Sequence, residues 1–289
     1  MGSVGSRKRV LAVGYGLMGA NLARMIDASG WANIAGVVDS SEKTLRQAMK
    51  DHSLPSELVD TNLRAALHRL HPDIVCINTP SEYHFRQVMA ALDFGCHVLV
   101  AKPVANHISE AMRICERARQ RRRKVVIGQQ MRFNQHYRAV AAFIASGAIG
   151  KIESIQLLNS KPRHKALNLG TMPEPAMLEM ACHHFDALLS LLPRARPQSI
   201  FAHGFRPSWS VYSGHCMVNA VIEFNTGTNV LYHGGFSSQA EQYELRLEGT
   251  RGAMRCRGSH MSGIFFKYEV AARGASFIPA DLELSLIHI

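Results

Sequence analysis

Lys8-Arg9-Val10-Leu11-Ala12-Val13 runs directly into Gly14-Tyr15-Gly16-Leu17-Met18-Gly19. The first of these segments is a short apolar run, the pattern of a strand buried on both faces of a parallel sheet. The second spaces its glycines as G-x-G-x-x-G. Beyond it, Ala20 to Ser29 continues as a helix, with Met18, Leu22, Met25 and Ile26 as its expected apolar stripe. A second strand, Ile34 to Val38, ends in Asp39, which follows the last glycine at about the 20-residue spacing of a dinucleotide fingerprint. Each position has a physical task there. Gly14 permits a tight turn, Gly16 lets backbone approach a pyrophosphate, and Gly19 lets the helix pack against the strand. The free N–H groups and positive dipole at the helix start favour phosphate, and Asp39 accepts hydrogen bonds from ribose hydroxyls. A glycine-rich turn without a ligand would also carry three glycines. The strand before, the helix after and the acid at the right distance favour dinucleotide binding by Gly14, Tyr15, Gly16, Leu17, Met18, Gly19, Asp39 and Ser40. An acid at the ribose predicts NAD; Ser40, Ser41 and Lys43 are groups that would accept the extra phosphate of NADP.

The strand–helix alternation continues. Glu42 to His52 reads as a helix, 53–60 as a loop with a short strand, and Leu63, Ala66, Leu67 and Leu70 mark another helix. Asp73 to Asn78 is an apolar strand. Ser81 is placed to cap a helix whose stripe is Phe85, Val88, Met89 and Leu92, stopped by Gly95. His97 to Val100 is a strand, Ile108, Met112 and Cys115 mark a helix, and Val125 to Ile127 is one more strand. Strand then helix, repeated, predicts a Rossmann-type, doubly wound α/β domain over residues 1–130.

From about Arg132 the character changes. Ile152 to Leu158 alternates as a half-buried strand, and a Pro-rich loop, 162–175, leads into one long helix, 176–192. Strand-like runs follow at Ser199–Phe205, Met217–Phe224, Asn229–Phe236, Tyr243–Leu247, Ala253–Cys256 and Ile264–Val270. Their short glycine-containing connections suggest an antiparallel meander. Residues 131–289 are therefore expected to form an α+β domain with an open, mostly antiparallel sheet. The final Leu284-Ser285-Leu286-Ile287-His288-Ile289 has no partner element and reads as translated adapter, so this domain is expected to be truncated at its C-terminus.

The chain has 289 residues, with 47% apolar and 19% charged side chains, a composition that supports a packed core. No apolar run approaches the roughly 20 residues of a membrane span, and no secretory leader is evident, so a cytoplasmic protein without a membrane partner is expected. Met1-Gly2-Ser3-Val4-Gly5-Ser6 matches a myristoylation pattern, yet equally a flexible leader. The net charge of +11 raises nucleic acid as a partner. Its densest block, Arg117 to Lys124, closes a helix, where cations complement the dipole, so no nucleic-acid partner is expected. The six cysteines form no C-x-x-C pair and read as reduced core residues; no metal site is expected.

Three stretches together resemble the Gfo/Idh/MocA oxidoreductases. They are Val13 to Gly19; Asn78-Thr79-Pro80-Ser81-Glu82-Tyr83-His84 running on to Ala101-Lys102-Pro103; and Glu179-Met180-Ala181-Cys182-His183-His184-Phe185-Asp186. Gly128-Gln129-Gln130-Met131-Arg132-Phe133 is similar to the family's segment joining its two domains. The resemblance implies a nicotinamide-dependent oxidoreductase acting on a secondary alcohol of a sugar, cyclitol or similar polyol, assembled as a homodimer or homotetramer. It assigns catalysis to Lys102, His183 and Glu179. It assigns cofactor contacts to Asn78, Thr79, Pro80, His84, Lys102, Pro103 and Gln130, and substrate contacts to Lys102, Arg132, Glu179 and His183. Two positions depart from the family pattern: Ala101 replaces a usual Glu, and Glu179 a usual Asp. They leave open a second reading, a non-catalytic NAD- or ligand-sensing protein on the same fold.

The helix carrying the third stretch supports the choice of His183. At about 100° per residue, Glu179, His183 and Asp186 fall within roughly 60° of one another, whereas His184 lies off that stripe. Leu178, Cys182, Phe185, Leu189 and Leu192 are the expected apolar face. An ordinary imidazole titrates near 6.5, which suits a general base for alcohol oxidation. Lys102, at the carboxyl end of a parallel strand, is placed where such sheets bind ligands.

Overall fold

Alternating strands and helices build two compact units, Met1–Gly128 and Gln129–Ile289. The computed structural model describes residues 7–163, 165, 169–170, 172–258, 266–280 and 282. The N-terminal leader, His164, Ile264 and the Leu284–Ile289 tail lie outside the described residues.

In the first unit the strands are β1 (Lys8–Val13), β2 (Ala32–Val38), β3 (Val59–Asp60), β4 (Ile74–Ile77), β5 (His97–Val100) and β6 (Val125–Ile127). They form one parallel sheet in the order β3-β2-β1-β4-β5-β6. The chain reverses direction across the sheet between β1 and β4, the position where such folds open a crevice at the strands' carboxyl ends. Helices α1 (Leu17–Ala28), α2 (Glu42–His52), α3 (Leu63–Leu70), α4 (Ser81–Asp93) and α5 (Ile108–Arg121) connect the strands. Val10, Leu11, Ala12, Val13, Val75 and Ile77 are buried, as their continuous apolar runs require.

Three expectations for these helices need correction. In α1 the buried face is Gly19, Ala20 and Ala23, while Met18 and Met25 are 67% and 69% exposed. Small residues let the helix lie close to the strand; Leu22 and Ile26 pack partly buried against the same core as expected, and the two methionines are left outside. In α4, Ser81 is the first helical residue and does not cap; Pro80 precedes it and no side chain caps that end. In α5, Ile108 and Met112 are 79% and 66% exposed and Cys115 is exposed too, so this thiol is not a core residue. Ile114 is the side chain that α5 buries. The Arg-rich end of α5 is largely engaged within the unit. Arg117 and Arg121 pair with Asp93, and Arg123 donates to the Gly95 carbonyl.

The second unit opens with a 3-10 turn, Gln130–Phe133, followed by α6 (Gln135–Ala145). Its sheet has the order β14-β13-β12-β11-β7-β10-β9-β8. The strands are β7 (Ile152–Pro162), β8 (Pro197–Phe205), β9 (Met217–Phe224), β10 (Asn229–Gly235), β11 (Ser237–Gly249), β12 (Gly252–Gly258), β13 (Lys267–Ala272) and β14 (Ile278–Ala280). A pure meander is not what forms. β7 lies between β10 and β11, parallel to β10 and antiparallel to β11. One sheet face packs on α6 and α7. On the other, Phe201, Val221 and Leu231 stand side by side in register and are exposed.

The long helix is also irregular. Met177–Ala181 forms a π turn, and α7 proper runs Cys182–Leu191. The wide turn brings Met180 and Ala181 onto the sheet and leaves Leu178 half-buried. The buried residues are then Ala181, His183, His184, Ala187, Leu188, Leu191 and Leu192; of the expected face Leu192 is buried, whereas Leu189 is exposed.

The fold's tightest backbone approach yields a stability prediction. A Cβ on Gly19 would lie 2.0 Å from the Gly14 carbonyl oxygen, whereas one on Gly16 would meet nothing within 4 Å. Gly19→Ala should cost about 1–3 kcal/mol or more, lowering the melting temperature by several degrees, and Gly16→Ala should not. Thermal unfolding of the two variants checks this; equal melting temperatures would contradict it.

Candidate active site

The glycine turn after β1 is fixed from three sides. Gly14 adopts φ +82°, and a Cβ there would collide with the Asn78 carbonyl group at 2.8 Å. Its N–H donates to Val38 O at 2.8 Å, and Asn78 N–H donates to Val13 O at 2.7 Å. The ends of β1, β2 and β4 therefore meet at this turn. Asp39, just past β2, accepts the Tyr15 N–H on Oδ2 at 2.7 Å and the Ser41 N–H on Oδ1 at 2.9 Å. A carboxylate has about four acceptor positions, so two remain for hydroxyls. Gly16, at the start of α1, has open space where a side chain would stand. Backbone-only surface at a helix start beside a held carboxylate fits a dinucleotide's pyrophosphate and ribose. Leu17 and Met18 are exposed at the same helix start, and Ser40 is exposed beside Asp39.

Tyr15 has a different place from its glycine neighbours. Its ring is buried, and its hydroxyl lies 2.9 Å from both Asp51 Oδ2 and His52 Nε2 on α2. His52 in turn contacts Asp27 on α1. Burial, then Asp51, pushes the Tyr15 hydroxyl far above its ordinary range, while Gln47 and Tyr15 hold Asp51 below the usual carboxylate range. The side chain thus anchors the turn to α2, and its N–H is spent on Asp39.

At the ends of β4 and β5, His84 is buried and its two ring nitrogens lie 2.7 Å from Pro103 O and 2.8 Å from Thr79 O. The ring therefore bridges the Asn78-Thr79-Pro80 and Lys102-Pro103 segments rather than facing outward. Thr79 Oγ1 donates to Gln87 at 2.6 Å. The Lys102–Pro103 peptide is cis. Lys102 thus follows β5 on a segment held by the His84 bridge.

In the second unit, the two adjacent histidines of α7 take separate roles in packing. His184 is fully buried, with Nδ1 2.9 Å from the Tyr232 hydroxyl and Nε2 3.3 Å from Asn159 Nδ2. Burial, and secondarily His183, pushes its pKa down to about 3, so it stays neutral. Asn159 also reaches Met180 Sδ at 3.0 Å, tying the π turn to β7. His183 is 7% exposed, and Glu179 sits half-buried inside the π turn one helical turn earlier. Wide turns of this kind recur at functional sites. Asp186 is held by Arg132 in a two-pronged contact, Nε at 2.8 Å and a terminal nitrogen at 2.6 Å. Arg132, expected to face a substrate, is thus engaged with α7, and Gln130 is exposed in the neighbouring 3-10 turn. Sequence reading did not foresee the His184–Tyr232–Asn159 network. Its members are 48 and 25 positions away from His184, beyond any local pattern.

Comparison with known proteins agrees with this geometry. Residues 8–129 match the description "Oxidoreductase family, NAD-binding Rossmann fold", and residues 137–255 match "GFO/IDH/MocA C-terminal domain". The protein y4oX of Sinorhizobium fredii is 27% identical over 274 residues, 90% of this chain and 74% of that protein. An inositol 2-dehydrogenase of Streptomyces avermitilis is 32% identical over 145 residues, 49% of this chain and 41% of that enzyme. The structure of an inositol dehydrogenase homolog from Azotobacter vinelandii, complexed with NADH and myo-inositol, superposes with a TM-score of 0.81. Its sequence identity is 18%, with 95% of this chain and 76% of that one covered. Matched in both of its units, the chain belongs to the Gfo/Idh/MocA family of NAD-dependent oxidoreductases.

Proposed function

We propose that the protein oxidises a secondary alcohol of a sugar, cyclitol or related polyol, with His183 as general base and Lys102 as the cation beside the reacting oxygen. NAD, when bound, supplies the hydride acceptor. The division of labour between the paired histidines carries this reading. His184 is committed to the core by Tyr232 and Asn159, so of the two histidines on this helix the adjoining His183 is the one assigned to the chemistry. Its ring takes the hydroxyl proton as the alcohol is oxidised. Glu179, one turn earlier, orients that ring or accepts a substrate hydroxyl. The Lys102 ammonium offsets negative charge developing on the oxygen. Gly14, Gly16, Leu17, Met18 and Gly19 receive the pyrophosphate, and Asp39 with Ser40 the ribose. Asn78, Thr79, Pro80 and Pro103 complete that surface, with His84 holding its two segments together. The activities of the relatives, inositol 2-dehydrogenase among them, supply the substrate class. Ala101, where the family usually has Glu, favours a second reading: a binding protein that senses NAD or a ligand without turnover.

The sheet face bearing Phe201, Val221 and Leu231 supports a further part of the proposal, that a second copy of the chain covers it. Light scattering should then give at least a dimer, and Phe201→Glu should shift it toward monomer. A wild-type monomer at micromolar concentration would refute this.

A turnover screen separates enzyme from sensor. Polyols and sugars are offered with NAD while absorbance of the reduced nicotinamide is followed. Activity with at least one is expected. Lys102→Ala and His183→Ala should each lower kcat by about 10²–10⁴ with NADH affinity little changed. Loss of kcat in neither variant, or no turnover across the panel, would overturn the assignment.

A further inference from the structure

Two cations of the second unit have no use in the mechanism above. Lys161 and Arg163 lie two residues apart at the end of β7, both half-buried. The same face of β7 carries Asn159, which touches Met180 and His184. Lys161 therefore stands about 7 Å further along a strand face that packs on the helix bearing Glu179 and His183. The Arg163 N–H donates to Phe236 O at 2.8 Å, and its guanidinium carbon lies 4.4 Å from the centre of the Phe236 ring. Phe236, Tyr212 and Met180 share one buried cluster, which links this spot again to the π turn.

The polar groups here are unbalanced. Neither Lys161 nor Arg163 makes an ion pair among the described residues. Burial, then the Arg163 charge, holds Lys161 below the usual lysine range, and the nearby Glu241 only partly opposes this. The Tyr212 hydroxyl is buried and has the Arg163 guanidinium as its polar neighbour. Two like charges placed together in a partly dry site are unfavourable unless an anion joins them. A planar guanidinium and an ammonium suit carboxylate or phosphate oxygens, with a phenol as a further donor.

We propose that the substrate carries an anionic group, carboxylate or phosphate, seated on Lys161 and Arg163 with the Tyr212 hydroxyl beside it. The proposal rests on the polyol dehydrogenase reading and narrows it, from neutral polyols to sugar acids or sugar phosphates.

Direct binding tests it on the full chain with saturating NADH, using calorimetry with D-glucuronate, glucose 6-phosphate and D-glucose. At least one anionic sugar should bind about tenfold or more tighter than D-glucose, about 1.4 kcal/mol or more in binding free energy. Whether glucuronate or the phosphate ester binds tighter identifies the group. Lys161→Gln should abolish the preference, Lys161→Arg should keep it, and both should bind NADH like the wild type, which confirms folding. Equal affinity for D-glucose and the anionic sugars, no binding of either anionic sugar, or a preference that survives Lys161→Gln would overturn the proposal. Turnover of neutral polyols with no such preference leaves the dehydrogenase reading intact. Anion binding without any turnover supports the cation site and removes that reading.

Discussion

The contact between the Gly14 carbonyl and the backbone of Gly19 is the constraint on which the first unit depends. No side chain fits there: a Cβ on Gly19 would sit 2.0 Å from that oxygen. Closeness at this point brings α1 down onto β1 and Asn78, and it sets the helix start against the strand ends. The Tyr15 N–H then reaches Asp39, while the Tyr15 ring, locked to Asp51 and His52, keeps α2 in step with the turn. Phosphate affinity at a helix start and ribose recognition by a carboxylate are separate physical effects. One turn of backbone holds the helix start and the Asp39 carboxylate in fixed register.

The second unit solves a different problem. Its helix α7 carries two adjacent histidines, both buried, and hydrogen bonding tells them apart. His184 bonds to Tyr232 and Asn159 and is held neutral by its apolar surroundings. The π turn adds the slack that lets Met180 reach Asn159 and keeps Glu179 near the same end of the helix. Arg132 completes the arrangement by gripping Asp186, so the segment entering this unit is tied to the helix it serves.

Much of this was legible because it is local. Strand runs, the glycine spacing and Asp39 lie within a few dozen residues, and α2, β5, β6 and β9 occur where their periodicity puts them. Long-range choices were not legible. Small residues in α1 outcompete Met18 and Met25 for the sheet, since close approach buries more than bulk would. The apolar marks on α5 face outward. The insertion of β7 between β10 and β11 follows from pairing across the whole unit. The roles of His84 and His184 depend on carbonyls, hydroxyls and amides that no helical period foretells.

In the proposed function the glycine turn and Asp39 read an unphosphorylated ribose. Fluorescence titration of the wild-type protein with NADH and with NADPH tests it most directly. A 2′-phosphate would face the Asp39 carboxylate, and like charge disfavours it. NADH should bind about tenfold or more tightly than NADPH, about 1.4 kcal/mol or more. Equal affinity, or a preference for NADPH, would contradict the account.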